Sequence, residues 1–277
     1  MSKISASQVN ELRKKTGAGM MDCKKALVEA EGDFEKATDI LRKKGQKLAS
    51  QRAERSANEG VVLSTVNDAK NKAYAIMLNC ETDFVAQNQD VIDFTASLLD
   101  LAVAKDYATV EELKSADMGG RSVEENITDM IGKTGEKMEL GGFEVVAGDN
   151  AYAYTHPGNK IAAIAALGKT EFKDVDLIGK DIVMQIAAMS PVAIDRDDVD
   201  PSVVEKEIEI GKEQARAEGK PEELLEKIAT GKLNKFFKES TLINQEFIKD
   251  SKKTVGQMIQ AADKNLKVVA FKRLSLV

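Results

Sequence analysis

The stretch Gly60-Val61-Val62-Leu63-Ser64-Thr65-Val66 is rich in β-branched residues and reads as a strand. Asn67-Asp68-Ala69-Lys70-Asn71-Lys72 has turn composition, and Ala73-Tyr74-Ala75-Ile76-Met77-Leu78-Asn79-Cys80 reads as a second strand. Beyond it, Val91, Phe94, Leu98, Leu101 and Ala102 fall on one helical face. The same grammar returns later. Phe143-Glu144-Val145-Val146 and Ala151-Tyr152-Ala153-Tyr154 are strand-like, and His156-Pro157-Gly158-Asn159-Lys160 is a turn. Ile161 to Leu167 is a strand, and Ile178 to Met189 a helix. Strand–turn–strand–helix therefore occurs twice, which predicts an α+β fold whose core is two related subdomains, each with a small antiparallel sheet. The expected boundaries are 59–142 and 143–277.

Working outward, residues 1–45 predict three short helices. Ser5 and Gln8 are spaced as a capping box, with Val9 and Leu12 on the first apolar face. Gly17 and Gly19 can take the positive φ that ends that helix. Cys23, Ala26, Leu27 and Ala30 mark the second helix, and Asp33 can cap a third that buries Phe34, Ala37, Ile40 and Leu41 and ends at Gly45. Residues 46–58 are polar and basic and are expected to be a linker, with partial helix as an alternative. Further helical signal covers 109–116 and 122–130. Residues 202–237 predict a charge-rich helical hairpin reversing at Glu218-Gly219-Lys220-Pro221. A helix at Thr254–Ala262 and a strand from Lys267 to Leu274 close the chain.

The chain has 277 residues, one His, two Cys and no Trp. Without a secretory h-region or an apolar run near the ~20 residues of a membrane span, a membrane role is not expected. Cys23 and Cys80 fit a reducing compartment. Charge is uneven: residues 1–57 carry 13 basic and 8 acidic side chains, or +5, and the remainder carries −11 within a total of −6. An acidic body of this kind argues against a large nucleic-acid footprint, leaving only the basic N-terminal segment for one.

Enzymatic readings are poor. Nucleophilic catalysis would have to use His156, which sits in a turn and reads more simply as an exposed loop residue. Neither Cys has a CxxC partner, and there is no GxxxxGK[ST] or GxGxxG phosphate loop. Two stretches suit a binding protein better. Met20 and Met21 follow a glycine-rich loop, where adaptable Met side chains can serve an interface. Exposure is the better reading for Met20, and core packing an equal one for Met21. Glu81-Thr82-Asp83-Phe84-Val85-Ala86 joins a strand to a helix, and either Thr82 or Asp83 can cap that helix. Phe84 is then core or a protruding anchor, and pattern alone favours core.

At these residues a family resemblance appears. Thr16-Gly17-Ala18-Gly19-Met20-Met21-Asp22-Cys23-Lys24-Lys25-Ala26-Leu27 and Asn79-Cys80-Glu81-Thr82-Asp83-Phe84-Val85-Ala86 resemble the two signatures of the bacterial translation elongation factor Ts family. Similar blocks at Pro157–Lys169, Val203–Glu207, Gly219–Pro221 and Lys253–Gln257 extend the likeness over essentially the whole chain. It implies a ubiquitin-associated-like N-terminal domain, a two-subdomain core with an inserted hairpin, and a non-catalytic guanine-nucleotide exchange factor for the GTPase elongation factor Tu. No cofactor, nucleic acid or membrane is implied. Phe84 would be an apolar wedge entering the partner's nucleotide domain, Asp83 would hold the wedge loop or meet a polar group beside the Mg²⁺ site, and Thr82 and Val85 flank them. Arg13, Met20 and Met21 match positions that dock the N-terminal domain, Ile131 and Gly132 match another contact segment, and His156 matches a residue facing the partner's third domain. The resemblance further implies cytoplasmic localisation and self-association through the hairpin; as a departure from it, the C-terminal helix that some members carry is not expected here. Two rivals remain: an adaptor or RNA-binding module built on the basic N-terminal segment, and a hydrolase using His156.

Overall fold

A computed structural model describes residues 4–170 and 172–276. Helices α1 (Ala6–Thr16), α2 (Met20–Glu29) and α3 (Phe34–Arg52) form the N-terminal module. Ser5 and Gln8 make the expected capping box, Gly17 is left-handed at φ 69°, and the Asp33 carboxylate accepts from the Glu35 and Lys36 amides. Val9, Leu12, Cys23, Ala26, Leu27 and Ala37 are buried together.

Helix α3 does not stop at Gly45 but continues to Arg52, well into the stretch expected to be linker. The reason is tertiary. Gly45 is a contact point on α7 (Val123–Thr134), where a Cβ would lie 3.3 Å from the Thr128 carbonyl oxygen and 3.5 Å from Gly132 Cα. The glycine is there for close helix approach, and packing overrides its weak helix propensity.

Strands β1 (Glu59–Val66) and β2 (Lys72–Cys80) form the predicted hairpin. Then follow α4 (Asp83–Ala86), α5 (Gln89–Lys105), α6 (Val110–Ser115), α7 and β3 (Met138–Ala147). β3 contains Phe143-Glu144-Val145-Val146, expected to open the second repeat, yet it pairs antiparallel with β2 and closes the first sheet. Strands β4 (Asn150–Thr155) and β5 (Ile161–Leu167) form the second hairpin, followed by α8 (Val175–Met189), α9 (Pro201–Ala217) and α10 (Glu222–Ser240). A two-residue strand β6 (Glu246–Phe247), β7 (Asp250–Thr254), α11 (Val255–Ala262) and β8 (Val268–Ser275) complete the chain. β8 pairs with β5. The two larger sheets thus run β1-β2-β3 and β4-β5-β8, hairpin, helices, returning strand, executed twice, and β6-β7 is a separate two-stranded ladder.

Both sheets are buried on both faces, which is why their strands read as continuous apolar runs. In β2, Tyr74, Ile76 and Leu78 face a core shared with α5 and α7, while Ala73 and Ala75 face the other sheet. In β5, Ala163, Ala165 and Leu167 face α8 and α11, while Ala162, Ile164 and Ala166 face the first sheet. The architecture is α+β in four layers, helix–sheet–sheet–helix, with a small-residue seam in the middle.

The hairpin α9–α10 stands out from this body. Its buried residues, Gly211, Ala215, Leu225 and Ala229, pack within the hairpin itself. At its base the Val192 amide donates to the Ser240 carbonyl at 2.8 Å, and the Leu242 amide to the Ala193 carbonyl at 2.9 Å.

Candidate functional site

The corner between β2 and α5 is built from a strand that ends buried and a single helical turn. Cys80 is fully buried and donates its thiol to the Thr82 carbonyl at 3.2 Å. Burial, chiefly, and the charge of Glu136 push that thiol up to about 12, so it stays protonated. Thr82, not Asp83, is the N-cap: its hydroxyl accepts from the Val85 amide. One turn of helix cannot turn all its side chains inward. Ala86 is buried and Val85 packs against the core, so Asp83 and Phe84 point to solvent. Phe84 is 84% exposed, the most exposed large apolar side chain described. Pattern alone favours the core for this residue, and the structure overturns that reading.

The corner is held from below. The Glu81 carboxylate accepts from Arg52 Nη1 at 2.7 Å, Arg55 Nη1 at 3.0 Å and the Lys137 amide at 2.7 Å. Those donors, the Lys137 amide foremost, hold its pKa down to about 2. Thr82 donates its amide to Glu136 Oε2 at 3.0 Å and its hydroxyl to Glu136 Oε1 at 2.7 Å. Arg52, Glu81 and Glu136 were not singled out by sequence reading. No local signal marks them, because their partners lie 26 to 56 residues away along the chain.

His156 lies near this corner although some seventy residues separate it from Phe84 in sequence. Its turn is stitched to the first sheet, since the Asn159 carbonyl accepts from the Val62 amide at 2.8 Å and Lys160 pairs with Glu59 at 3.0 Å. His156 is exposed, with Nδ1 2.9 Å from the Tyr154 hydroxyl. A shallow hollow of about 430 Å³ is lined by Asp83 and Gln87 on one side and by His156, Pro157 and Lys160 on the other. The structure therefore brings two of the sequence-selected positions together.

A second exposed set lies on the N-terminal module. Met20 and Met21 open α2 at 49% and 62% exposure, and Arg13 is exposed in the last turn of α1. The Met21 alternative of core packing is thereby removed. Ile131 and Gly132 go the other way. Ile131 is 5% exposed in the first core, and Gly132 faces Gly45 across the α3–α7 crossing. Neither can present a side chain to a partner, so both leave the candidate surface, and their work is internal. The next residue, Lys133, lays its aliphatic chain over Gly17.

No group of three or more His, Cys, Asp or Glu placed to hold a metal exists among the described residues. Nor is any helix among them long and apolar enough to cross a membrane. The described residues place an exposed apolar ring on a braced corner and a pair of exposed Met at the start of α2.

The family model described as Elongation factor TS matches residues 81–276. The chain is 52% identical to an Elongation factor Ts of Cytophaga hutchinsonii over 277 residues, covering 100% of both. It is 49% identical over 276 residues to that of Christiangramia forsetii, again covering 100% of both. Against the Elongation factor Ts of Porphyromonas gingivalis it is 47% identical over 274 residues, covering 99% of this chain and 98% of the other. With likeness of that extent across its whole length, the chain belongs to the elongation factor Ts family, whose members are translation elongation factors.

Proposed function

We propose that this chain is a guanine-nucleotide exchange factor for elongation factor Tu, and that it performs no covalent chemistry. The observation that carries the reading is Phe84, 84% exposed on a corner that does not need the ring for its own packing. Exchange is a linkage effect. A protein that binds the nucleotide-free GTPase better than the GDP-bound form must weaken GDP binding by the same factor. Mg²⁺ demands near-ideal octahedral geometry, so a small displacement of loops beside it costs the nucleotide dearly. Burying a Phe side chain in the partner supplies about 1.5–3 kcal/mol, or one to two orders of magnitude in an equilibrium constant. Asp83 and the flanking Thr82 and Val85 carry and cap the ring. Arg13, Met20 and Met21 grip at one place and His156 at another, so the wedge is delivered at high effective concentration. The N-terminal module, whose third helix runs on to Arg52, and the two core halves are the framework that separates these contacts. No cofactor, nucleic acid or membrane takes part, and the site of action is the cytoplasm, where elongation proceeds. Self-association through the hairpin α9–α10 belongs to the same reading.

Phe84→Ala is expected to leave the circular dichroism spectrum unchanged and to slow stimulated release of mant-GDP from elongation factor Tu by about tenfold or more. Stopped-flow fluorescence measures it, and an unchanged release rate would remove the wedge.

A further inference from the structure

We propose that Arg52, Glu81 and Glu136 are positioning residues that fix the angle of the Phe84 wedge and tie it mechanically to α3, the helix that runs out of the N-terminal module. The proposal rests on the exchange-factor reading above. Helix α4 has four residues. Isolated helices shorter than about 12–15 residues are marginal in water, so α4 cannot orient a side chain by its own stability. Its direction must come from what its ends are fastened to.

Those fastenings are specific. Glu81, one residue before the cap, spends both carboxylate oxygens on Arg52, Arg55 and the Lys137 amide, and its side chain is only 13% exposed. Thr82, the cap itself, gives two hydrogen bonds to one carboxylate, Glu136. Glu136 and Lys137 lie in the three-residue connector between α7 and β3. Arg52 is the last residue of α3, the 19-residue helix that starts inside the N-terminal module. The same α3 is pressed onto the same α7 through Gly45 and Gly132. Three elements thus meet at the foot of the wedge, and two of them are already locked to each other. Charge-assisted hydrogen bonds are short and directional, which suits them to setting an angle rather than adding affinity. A ring held in its productive direction does not have to be reordered on contact, and that is where preorganisation acts.

The test is the maximal rate of mant-GDP release from elongation factor Tu, together with the concentration of this protein that half-saturates it. Glu81→Gln keeps the side-chain shape and removes the charge. It is expected to lower the maximal rate about three- to tenfold and to move half-saturation less than about twofold, because the distant grips are intact. In a Phe84→Ala background the same substitution is expected to change the rate less than about twofold, since the clamp then has no ring to aim. A wild-type maximal rate for Glu81→Gln, or losses that multiply in full in the double variant, would overturn the proposal. Should Glu81→Gln fail to fold, Arg52→Met takes its place, with Arg52→Lys as the rescue that restores one charge. A wild-type rate for Arg52→Met, or no recovery with Arg52→Lys, overturns it equally. If Phe84→Ala alone is without effect, the wedge reading falls and takes the clamp with it. If Phe84→Ala is slow and Glu81→Gln is not, only the clamp falls.

Discussion

Phe84 shows how one side chain can escape a pattern that sorts its neighbours correctly. Apolar periodicity needs at least two turns to declare a face, and α4 supplies one. Val85 and Ala86 occupy the inward arc, and the ring is left outside. Nothing in the residue types distinguishes that outcome from its reverse; the family motif did so. Met20 and Met21 are a softer case. Gly19 starts α2 immediately before them, so both fall in the first turn, ahead of the buried Cys23, Ala26 and Leu27. Because the structure asks neither Met to fill a core, Met20→Asp is expected to leave the thermal midpoint within a few degrees of wild type. It should weaken binding to elongation factor Tu by about 1–2 kcal/mol in calorimetry, the cost of putting a charge where an apolar contact was. Wild-type affinity would take Met20 out of the interface. Glu81 and Glu136 lay beyond sequence reading altogether, because their partners are 26 to 56 residues away and no local rule links them.

At the scale of elements, the strands and helices were legible wherever tertiary packing agreed with local preference. The hairpins β1–β2 and β4–β5, the caps at Ser5 and Asp33 and the paired helices α9 and α10 follow from spacing and turn residues. Two readings failed for the same reason. Gly45 resembles a helix end but is a contact surface, and the strand at Phe143 resembles a beginning but is a return. Local sequence carries no mark of which distant element a residue will meet. The crossing of α3 on α7 gives a graded test. Gly45→Ala gains about 1 kcal/mol of helix propensity and loses a comparable amount to the 3.3 Å approach of the Thr128 carbonyl, for a net near zero. Gly45→Val adds two methyls beyond that Cβ at the same tight crossing and is expected to cost about 1–3 kcal/mol in urea unfolding. It should also slow stimulated GDP release, since α3 can no longer seat against α7. Equal stabilities for the two variants would mean that the helices part freely.

The whole molecule repeats one circuit twice and joins the copies face to face through small residues. Two related halves were readable from the recurrence of strand–turn–strand–helix, but the seam was not, because Ala73, Ala75, Ala162 and Ala166 look like ordinary strand filler until both sheets are seen together. Acid stability is a property at this scale, and Glu81 contributes a signed part of it. Its pKa falls from 4.5 to about 2 on folding, so the ionised form stabilises the folded protein above about 4.5, and that contribution drains away as pH drops toward 2. The groups facing it are Arg52, Arg55 and the Lys137 amide, all donors that keep their protons across this range. Wild type is therefore expected to lose more unfolding free energy than Glu81→Gln between pH 5 and pH 2.5, followed by urea titration at each pH; parallel slopes would show that the carboxylate is not linked to folding.

The hydrogen bond from Val192 to Ser240 means that the polypeptide leaves the body and comes back through one doorway. The hairpin from Pro201 to Ser240 is an appendage in the topological sense, because its own small residues face one another and neither three-stranded sheet relies on it. Such an arm can be lengthened, trimmed or exchanged for a foreign module, while the two circuits close behind it as before.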